Sequence, residues 1–242
     1  MFLGSIVLIA GALYAYADRI VMGMVGAREL PRAEAPALHS TVERLAALAG
    51  VVRPRLYLLR DGYPRALSAG RGAGGGAVLA VSAGLLGVSS PAELEAVIAH
   101  ELAHLRHRDV LLQSVTVVLA SALLELSRVG GALQRALLFV LGPFSAACVH
   151  LVLSPRREYA ADRFAATLCD SPHSLADALL RLEQAMELVS FQAGPATEPL
   201  YTINPFAEEG LAALFVTHPP TAERVRRLRA LDPDWREKLR TS

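Results

Sequence analysis

The chain has 242 residues, of which 53% are hydrophobic and 19% are charged. A chain this apolar can bury a sizeable core, so an intrinsically disordered protein is excluded. Its 24 basic and 23 acidic residues leave a net charge of +1, which excludes a nucleic-acid-binding protein of the usual basic kind. The two cysteines, Cys148 and Cys169, are too few for a disulfide scaffold and lack the C-x-x-C spacing of a redox or zinc-finger motif.

Much of the hydrophobicity lies in three segments without any charged residue, Phe2–Ala17, Val110–Leu124 and Ala136–Leu153. Each has roughly 15–18 residues, a length compatible with a membrane span or with a buried helix. We interpret the three segments as three membrane spans. Basic residues follow the first segment and flank the outer ends of the other two, so the positive-inside rule predicts that most of the chain lies in the cytoplasm. The second and third segments have an alternative interpretation, a hairpin that only dips into the membrane.

The remaining sequence predicts an α+β fold that is mostly helical. Short apolar runs predict strands at residues 55–59 and 77–81. Helical spacing of apolar residues and start signals predict helices at residues 35–49, 91–108, 156–168, 172–189 and 221–231. The helix at 91–108 has the clearest start, because Ser90 precedes Pro91 and Glu93 completes a capping box.

That helix contains an H-E-x-x-H motif, formed by His100, Glu101 and His104. Residues four apart lie on one face of a helix, so both imidazoles can reach the same metal ion. Glu101 projects beside the ion, where its carboxylate can take a proton from the attacking water. The motif therefore predicts two zinc ligands and a general base on one rigid element.

A catalytic zinc site needs a third protein ligand. The best candidates from the residues alone are Glu158 and Asp162, which are four apart and share a face of the 156–168 helix. One would ligate the metal while the other accepts a hydrogen bond from an imidazole. The spacing fits a solvated acidic face equally well, and His107 is a weaker third-ligand candidate.

Several separated motifs in the sequence then resemble one family. They are A-R-E at 27–29, S-A-G-L-L at 82–86, E-L-E-A-V-I-A-H-E-L-A-H at 93–104, R-D at 108–109, S-P-R-R-E-Y-A-A-D at 154–162 and F-V-T-H-P-P at 215–220. In this order they resemble the membrane-bound M48 zinc peptidases, specifically the bacterial HtpX-like heat-shock proteases.

This resemblance implies a zincin-type peptidase domain with one Zn²⁺ per chain. It implies that His100, His104 and Glu158 bind the metal, and that Glu101 is the general base. Asp162 would support a ligating histidine from behind, and His218 would contact the substrate or the oxyanion. For His218 a structural role before the Pro pair remains an equal alternative.

One departure from the family pattern concerns substrate binding. Family members usually have Asn-Ala-Phe-Ala-x-Gly-Arg where this chain has R-A-L-S-A-G-R at 65–71, so Arg65 replaces the Asn. Either Arg65 supplies the hydrogen-bond donor that the Asn provides in the family, or the activity of this chain is weaker. An extended substrate is expected to pair with the edge of the second predicted strand, through Ala77, Val78, Leu79 and Ala80.

The expected domain organisation follows the apolar segments. Residues 1–20 form a membrane anchor, 21–109 the first part of the peptidase domain, 110–153 a transmembrane hairpin and 154–242 the second part. The predicted function is zinc-dependent endoproteolysis of misfolded or damaged membrane proteins as part of a stress response. The expected partners are polypeptide substrates and the lipid bilayer, without nucleic acid, at the inner membrane with a cytoplasmic catalytic domain. The alternatives are a catalytically weak membrane scaffold and a peptidase that processes prenylated peptides.

Overall fold

The computed structural model describes residues 16, 18–23, 25–70, 74–110, 131, 154–201, 219–232 and 234. Residues 18–23 are helical and precede the first strand. The elements that follow in chain order are β1 (Arg28–Glu29), α1 (Pro36–Ala49), β2 (Arg55–Leu59), β3 (Ala66–Gly70), β4 (Ala77–Ser82), α2 (Ala83–Val88), α3 (Pro91–Arg106), α4 (Pro155–Leu168), α5 (His173–Tyr201) and α6 (Thr221–Arg229). The described residues therefore form a mostly helical α+β fold with a small mixed sheet, as the sequence predicts.

The sheet has the strand order β1-β2-β4-β3. β4 is parallel to β2 and antiparallel to β3, and β1 is antiparallel to β2. Every residue of β4 is buried, because the strand has a neighbour on each edge and apolar side chains on each face. Leu79 and Val81 pack toward the helices, whereas Val78 and Ala80 pack with Val21 on the opposite face.

Helix α3 lies at the centre of the fold. It packs against α1, α4, α5 and β3. Its apolar positions Ile98, Leu102 and Leu105 are fully buried in the main core. A helix held on several sides is rigid, so its polar residues have a fixed place relative to the elements around it.

The start of α3 confirms the capping box read from the sequence. The Ser90 hydroxyl accepts a hydrogen bond from the Glu93 amide, and the Glu93 carboxylate accepts one from the Ser90 amide. The predicted strands at 55–59 and 77–81 are confirmed as β2 and β4. β1 and β3 were not predicted, since one is two residues long and the other, A-L-S-A-G, has no β-branched residue.

The three apolar segments fall outside the described residues except for Tyr16 and Val110. Among the described helices, none combines the length and the hydropathy that a bilayer span requires. The domain boundaries at residues 20, 109 and 153 stay predictions.

Candidate metal centre

The two histidines of the motif lie one turn apart on α3 and point to the same place. Their Nε2 atoms are 3.2 Å apart, and both side chains are buried, with 6% of His100 and 3% of His104 exposed. The helix register produces this arrangement, since residues i and i+4 stack on one face. Two buried imidazole nitrogens this close together can supply two of the four ligands of a tetrahedral metal site.

Helix α4 packs against α3 and brings Glu158 to the same point. Its carboxylate oxygens lie 3.6 Å from Nε2 of His100 and 3.4 Å from Nε2 of His104, and only 2% of the residue is exposed. Two ligand atoms at tetrahedral positions, each about 2.0–2.1 Å from zinc, are about 3.3–3.4 Å apart. The spacing of these three donors therefore fits a single zinc ion.

A carboxylate lies behind each imidazole. Asp162 Oδ1 is 3.0 Å from Nδ1 of His100, and Asp109 Oδ2 is 3.4 Å from Nδ1 of His104. An acceptor at Nδ1 holds the proton there and leaves Nε2 with its lone pair free for a metal. When neutral, each histidine thus presents its Nε2, the nitrogen that faces Glu158, in the ligating form.

The position of Asp109 depends on the end of α3. Arg108 adopts a left-handed conformation with φ of 62°, directly after the C-terminal end of the helix. Asp109 is then buried under His104, and Arg157 donates a hydrogen bond to its second oxygen at 2.7 Å. Asp109, just after the end of α3, therefore contacts Arg157 near the start of α4 beside the metal centre.

The charges around the site favour a cation. Three buried carboxylates, those of Asp109, Glu158 and Asp162, face two guanidiniums, Arg157 and Arg224. The partly buried carboxylate of Glu101 lies beside them. Burying such an excess of negative charge is costly unless a positive ion compensates it. The donor types agree, since two imidazoles and one carboxylate form a common catalytic zinc set.

The same neighbouring charges shift the pKa of His100 and of Asp162. Burial acts to lower the pKa of His100, but hydrogen bonds to Asp162 and Glu158 outweigh it and raise this pKa to about 9. Burial acts to raise the pKa of Asp162, yet hydrogen bonds from Arg224 and His100 bring it below its ordinary value. Metal binding at this site is therefore coupled to the loss of a proton from His100.

Glu101 projects sideways from the ligand pair, toward β3. Its Oε2 accepts a hydrogen bond from Ser68 Oγ at 2.8 Å, and its side chain is only partly buried. A carboxylate next to the ligands and open to solvent is placed for acid–base chemistry rather than for metal binding.

The other predicted site residues are distributed differently. The Arg65 guanidinium pairs with Asp61, and its backbone bonds to Ser82. His107 ends α3, is exposed and has its ring against Phe164, so it lies away from the ligands. His218 falls outside the described residues, and its role stays a prediction.

The expectation that a peptide pairs with the edge of β4 is wrong. Ala77, Val78, Leu79 and Ala80 are buried in the middle of the sheet, and β2 and β3 occupy both hydrogen-bonding edges of their strand. The outer edge of this part of the sheet belongs to β3, for which the described residues supply no second neighbour.

Comparison with known proteins agrees with this geometry. The model of peptidase family M48 matches residues 32–232. The chain belongs to peptidase family M48. A relative from Persephonella marina called "Protease HtpX homolog" is 38% identical in an alignment 235 positions long that covers 89% of this chain and 81% of the relative. One of the same name from Acidiphilium cryptum is 41% identical in an alignment 239 positions long that covers 91% of this chain and 83% of the relative.

A solved structure is also similar to this M48 metallopeptidase. The crystal structure of Ste24p from S. mikatae aligns with a TM-score of 0.53 at 18% identity. The alignment covers 94% of this chain and 56% of the Ste24p chain. At 18% identity the comparison shows a shared fold and nothing more.

Sequence reasoning missed four residues at this site, Ser68, Asp109, Arg157 and Arg224. Ser68 lies on an unpredicted strand, and Arg224 reaches the site from α6, which is distant in sequence. Asp109 carried a usable signal, since a charged pair directly after the motif helix and directly before an apolar segment is hard to explain as a solvated face.

Proposed function

We propose that this M48 peptidase is a membrane-bound, zinc-dependent endopeptidase that cleaves misfolded or damaged membrane proteins. The observation that carries the proposal is the buried convergence of His100, His104 and Glu158 with the Glu101 carboxylate beside them. Three protein donors leave one position for the reacting groups, which is the arrangement of catalytic zinc sites.

The three donors would hold one Zn²⁺ per chain. When bound, zinc lowers the pKa of a water molecule to about 7 and polarises a peptide carbonyl. Asp162 and Asp109 orient the two imidazoles through their Nδ1 atoms. Arg224 and Arg157 in turn hold these carboxylates, so the ligand geometry is fixed from two sides.

Glu101 would move the proton during hydrolysis. Its Oε2 is occupied by Ser68, which leaves Oε1 to accept a proton from the attacking water and to deliver it to the leaving amine. Developing negative charge on the scissile carbonyl oxygen would be stabilised by His218. This residue directly precedes the buried Pro219 and the helix that carries Arg224. The Arg65 guanidinium, now paired with Asp61, is a second candidate for this role.

The substrate would bind as an extended strand along the outer edge of β3. Main-chain hydrogen bonds from an edge strand bind a peptide with little demand on its sequence, which suits an enzyme that degrades damaged proteins. Ser68 on this strand contacts Glu101, so a peptide paired with β3 passes next to the general base.

The position of the site in the chain supports action at a membrane surface. α3 ends shortly before the apolar segment Val110–Leu124, and α4 begins directly after Ala136–Leu153. These two helices carry all three donors. Spans formed by the two segments would hold the catalytic centre at the cytoplasmic face of the inner membrane, with access to exposed parts of membrane proteins.

The test is metal analysis of the purified full-length protein together with cleavage of unfolded casein in detergent. We expect zinc near one ion per chain, casein cleavage that a chelator abolishes, and recovery on adding zinc. Chelator-resistant cleavage, or no cleavage by the zinc-loaded protein, would contradict the proposal. The second result would favour a membrane scaffold. The likeness to Ste24p concerns the fold alone and does not bear on the choice of substrate.

A further inference from the structure

We propose that Ser68 is a positioning residue for the general base, and that it holds the Glu101 carboxylate in its reactive orientation. The inference rests on the proposed peptidase function and adds to it a residue outside the ligand set. It comes from one contact, the 2.8 Å hydrogen bond that Ser68 Oγ donates to Oε2 of Glu101.

The register of the sheet fixes the direction of the Ser68 side chain. Ser68 pairs with Leu79 of β4, and residues directly opposite each other on neighbouring strands share a face. Leu79 packs in the core with the helices, whereas Ala69, the next residue of β3, packs on the other face. The hydroxyl therefore points to the helix face of the sheet, where α3 carries Glu101.

A serine at this position needs a partner, because only 8% of it is exposed. Its hydroxyl has a single proton, and that proton goes to the carboxylate. Glutamate has three rotatable side-chain bonds, and without a partner Glu101 would sample more orientations. In this chain, where Ser68 stands at the position of an Ala in the family pattern, the hydrogen bond restricts Oε2 and leaves Oε1 to act as the base.

The same strand provides the proposed peptide-binding edge. Peptide pairing uses main-chain groups of β3, whereas the contact with Glu101 uses the side chain of Ser68. One strand would thus set the path of the substrate and the orientation of the base. Removal of the hydroxyl should lower the rate of the chemical step and leave substrate binding unchanged.

The kinetic test uses the full-length, zinc-loaded protein in detergent with casein as substrate. For Ser68→Ala we expect kcat to fall about tenfold with KM unchanged, because the orientation of the base affects the energy of the transition state and not the binding of the substrate. Ser68→Thr retains a hydroxyl and should recover kcat to within about threefold of the parent. Ser40→Ala is the matched control, since it also removes a hydrogen bond donated by a serine hydroxyl, here to the Pro36 carbonyl at an exposed position of α1, and should change neither constant.

Zinc affinity and thermal unfolding separate positioning from a general structural role. Ser68→Ala should retain the parent's zinc affinity, because Ser68 contacts no ligand. The inference is overturned if kcat of Ser68→Ala equals that of the parent. It is also overturned if the alanine and threonine variants lose activity equally and unfold at equally lower temperatures.

A second measurement does not depend on peptidase activity. In metal-free protein, Ser68→Ala should lower the unfolding midpoint in the parent, and this shift should disappear in a Glu101→Ala background, since the partner is then absent. Equal shifts in both backgrounds would overturn the inference. A coupled pair in a protein that cleaves nothing would support the hydrogen bond and contradict the proposed function, so the two failures are distinguishable.

Discussion

Arg224 and Asp162 form a buried, bidentate salt bridge directly behind His100. The Nε and Nη2 atoms of Arg224 donate to the two oxygens of Asp162 at 2.9 and 2.6 Å, and the exposed fractions are 6% and 4%. Asp162 in turn lies 3.0 Å from Nδ1 of His100. Through these contacts α6 fixes a carboxylate on α4, and that carboxylate fixes an imidazole on α3.

This chain of contacts predicts the effect of Arg224→Ala. A buried carboxylate left without its cation costs about 3–5 kcal/mol of stability. Loss of a group that orients a ligand through another residue typically weakens metal binding by about 10- to 100-fold. We expect both effects, measured as the free energy of unfolding and the zinc dissociation constant. Arg226→Ala is the matched control on the same helix, because its exposed side chain pairs with Glu223. Parental values for Arg224→Ala would show that the pair has no role at the metal centre.

Glu158→Gln tests the third ligand. The amide preserves the shape of the side chain but removes the charge that a zinc ligand provides, so we expect zinc affinity to fall by about 100-fold or more. Metal content after dialysis, measured by mass spectrometry, reports the loss. Glu183→Gln on the exposed side of α5 is the control and should retain the metal. Stoichiometric zinc in Glu158→Gln would remove Glu158 from the ligand set.

Glu101→Gln separates metal binding from catalysis. The amide cannot accept the proton, so peptidase activity should fall by about 10²- to 10⁴-fold. Zinc content should match the parent, because Glu101 projects away from the three donors toward Ser68. Casein hydrolysis and metal analysis on the same preparation make the comparison. Cleavage that survives the change would rule out Glu101 as the general base.

The sequence was most informative where local signals act alone. The capping box could be predicted because it depends only on Ser90 and Glu93, which are close in sequence. The shared helix face of His100 and His104 followed from their spacing of four residues. The choice between Glu158 and Asp162 did not follow from spacing, since both lie on the same face of α4.

Tertiary packing supplied what the sequence could not. β3 consists mostly of small residues with no strand preference, and its pairing with β4 makes it a strand. That pairing also buried β4, which had been expected to expose an edge. Arg224 reaches Asp162 from 62 residues away, and a pattern confined to one element carries no trace of such a contact.

Cys169 offers a test of the packing at the end of α4. Burial, followed by the nearby charge of Glu95, raises the pKa of the Cys169 thiol to about 11. Only the thiolate reacts with iodoacetamide, so at pH 8 the folded protein should be alkylated roughly 100-fold more slowly than an ordinary thiol. A Cys148→Ser background leaves Cys169 as the single thiol. The rate should rise with pH up to about 11, and denaturation in urea should restore the ordinary profile. A folded-state rate that levels off near pH 9 would mean that Cys169 is far more open to water than its place beside the core indicates.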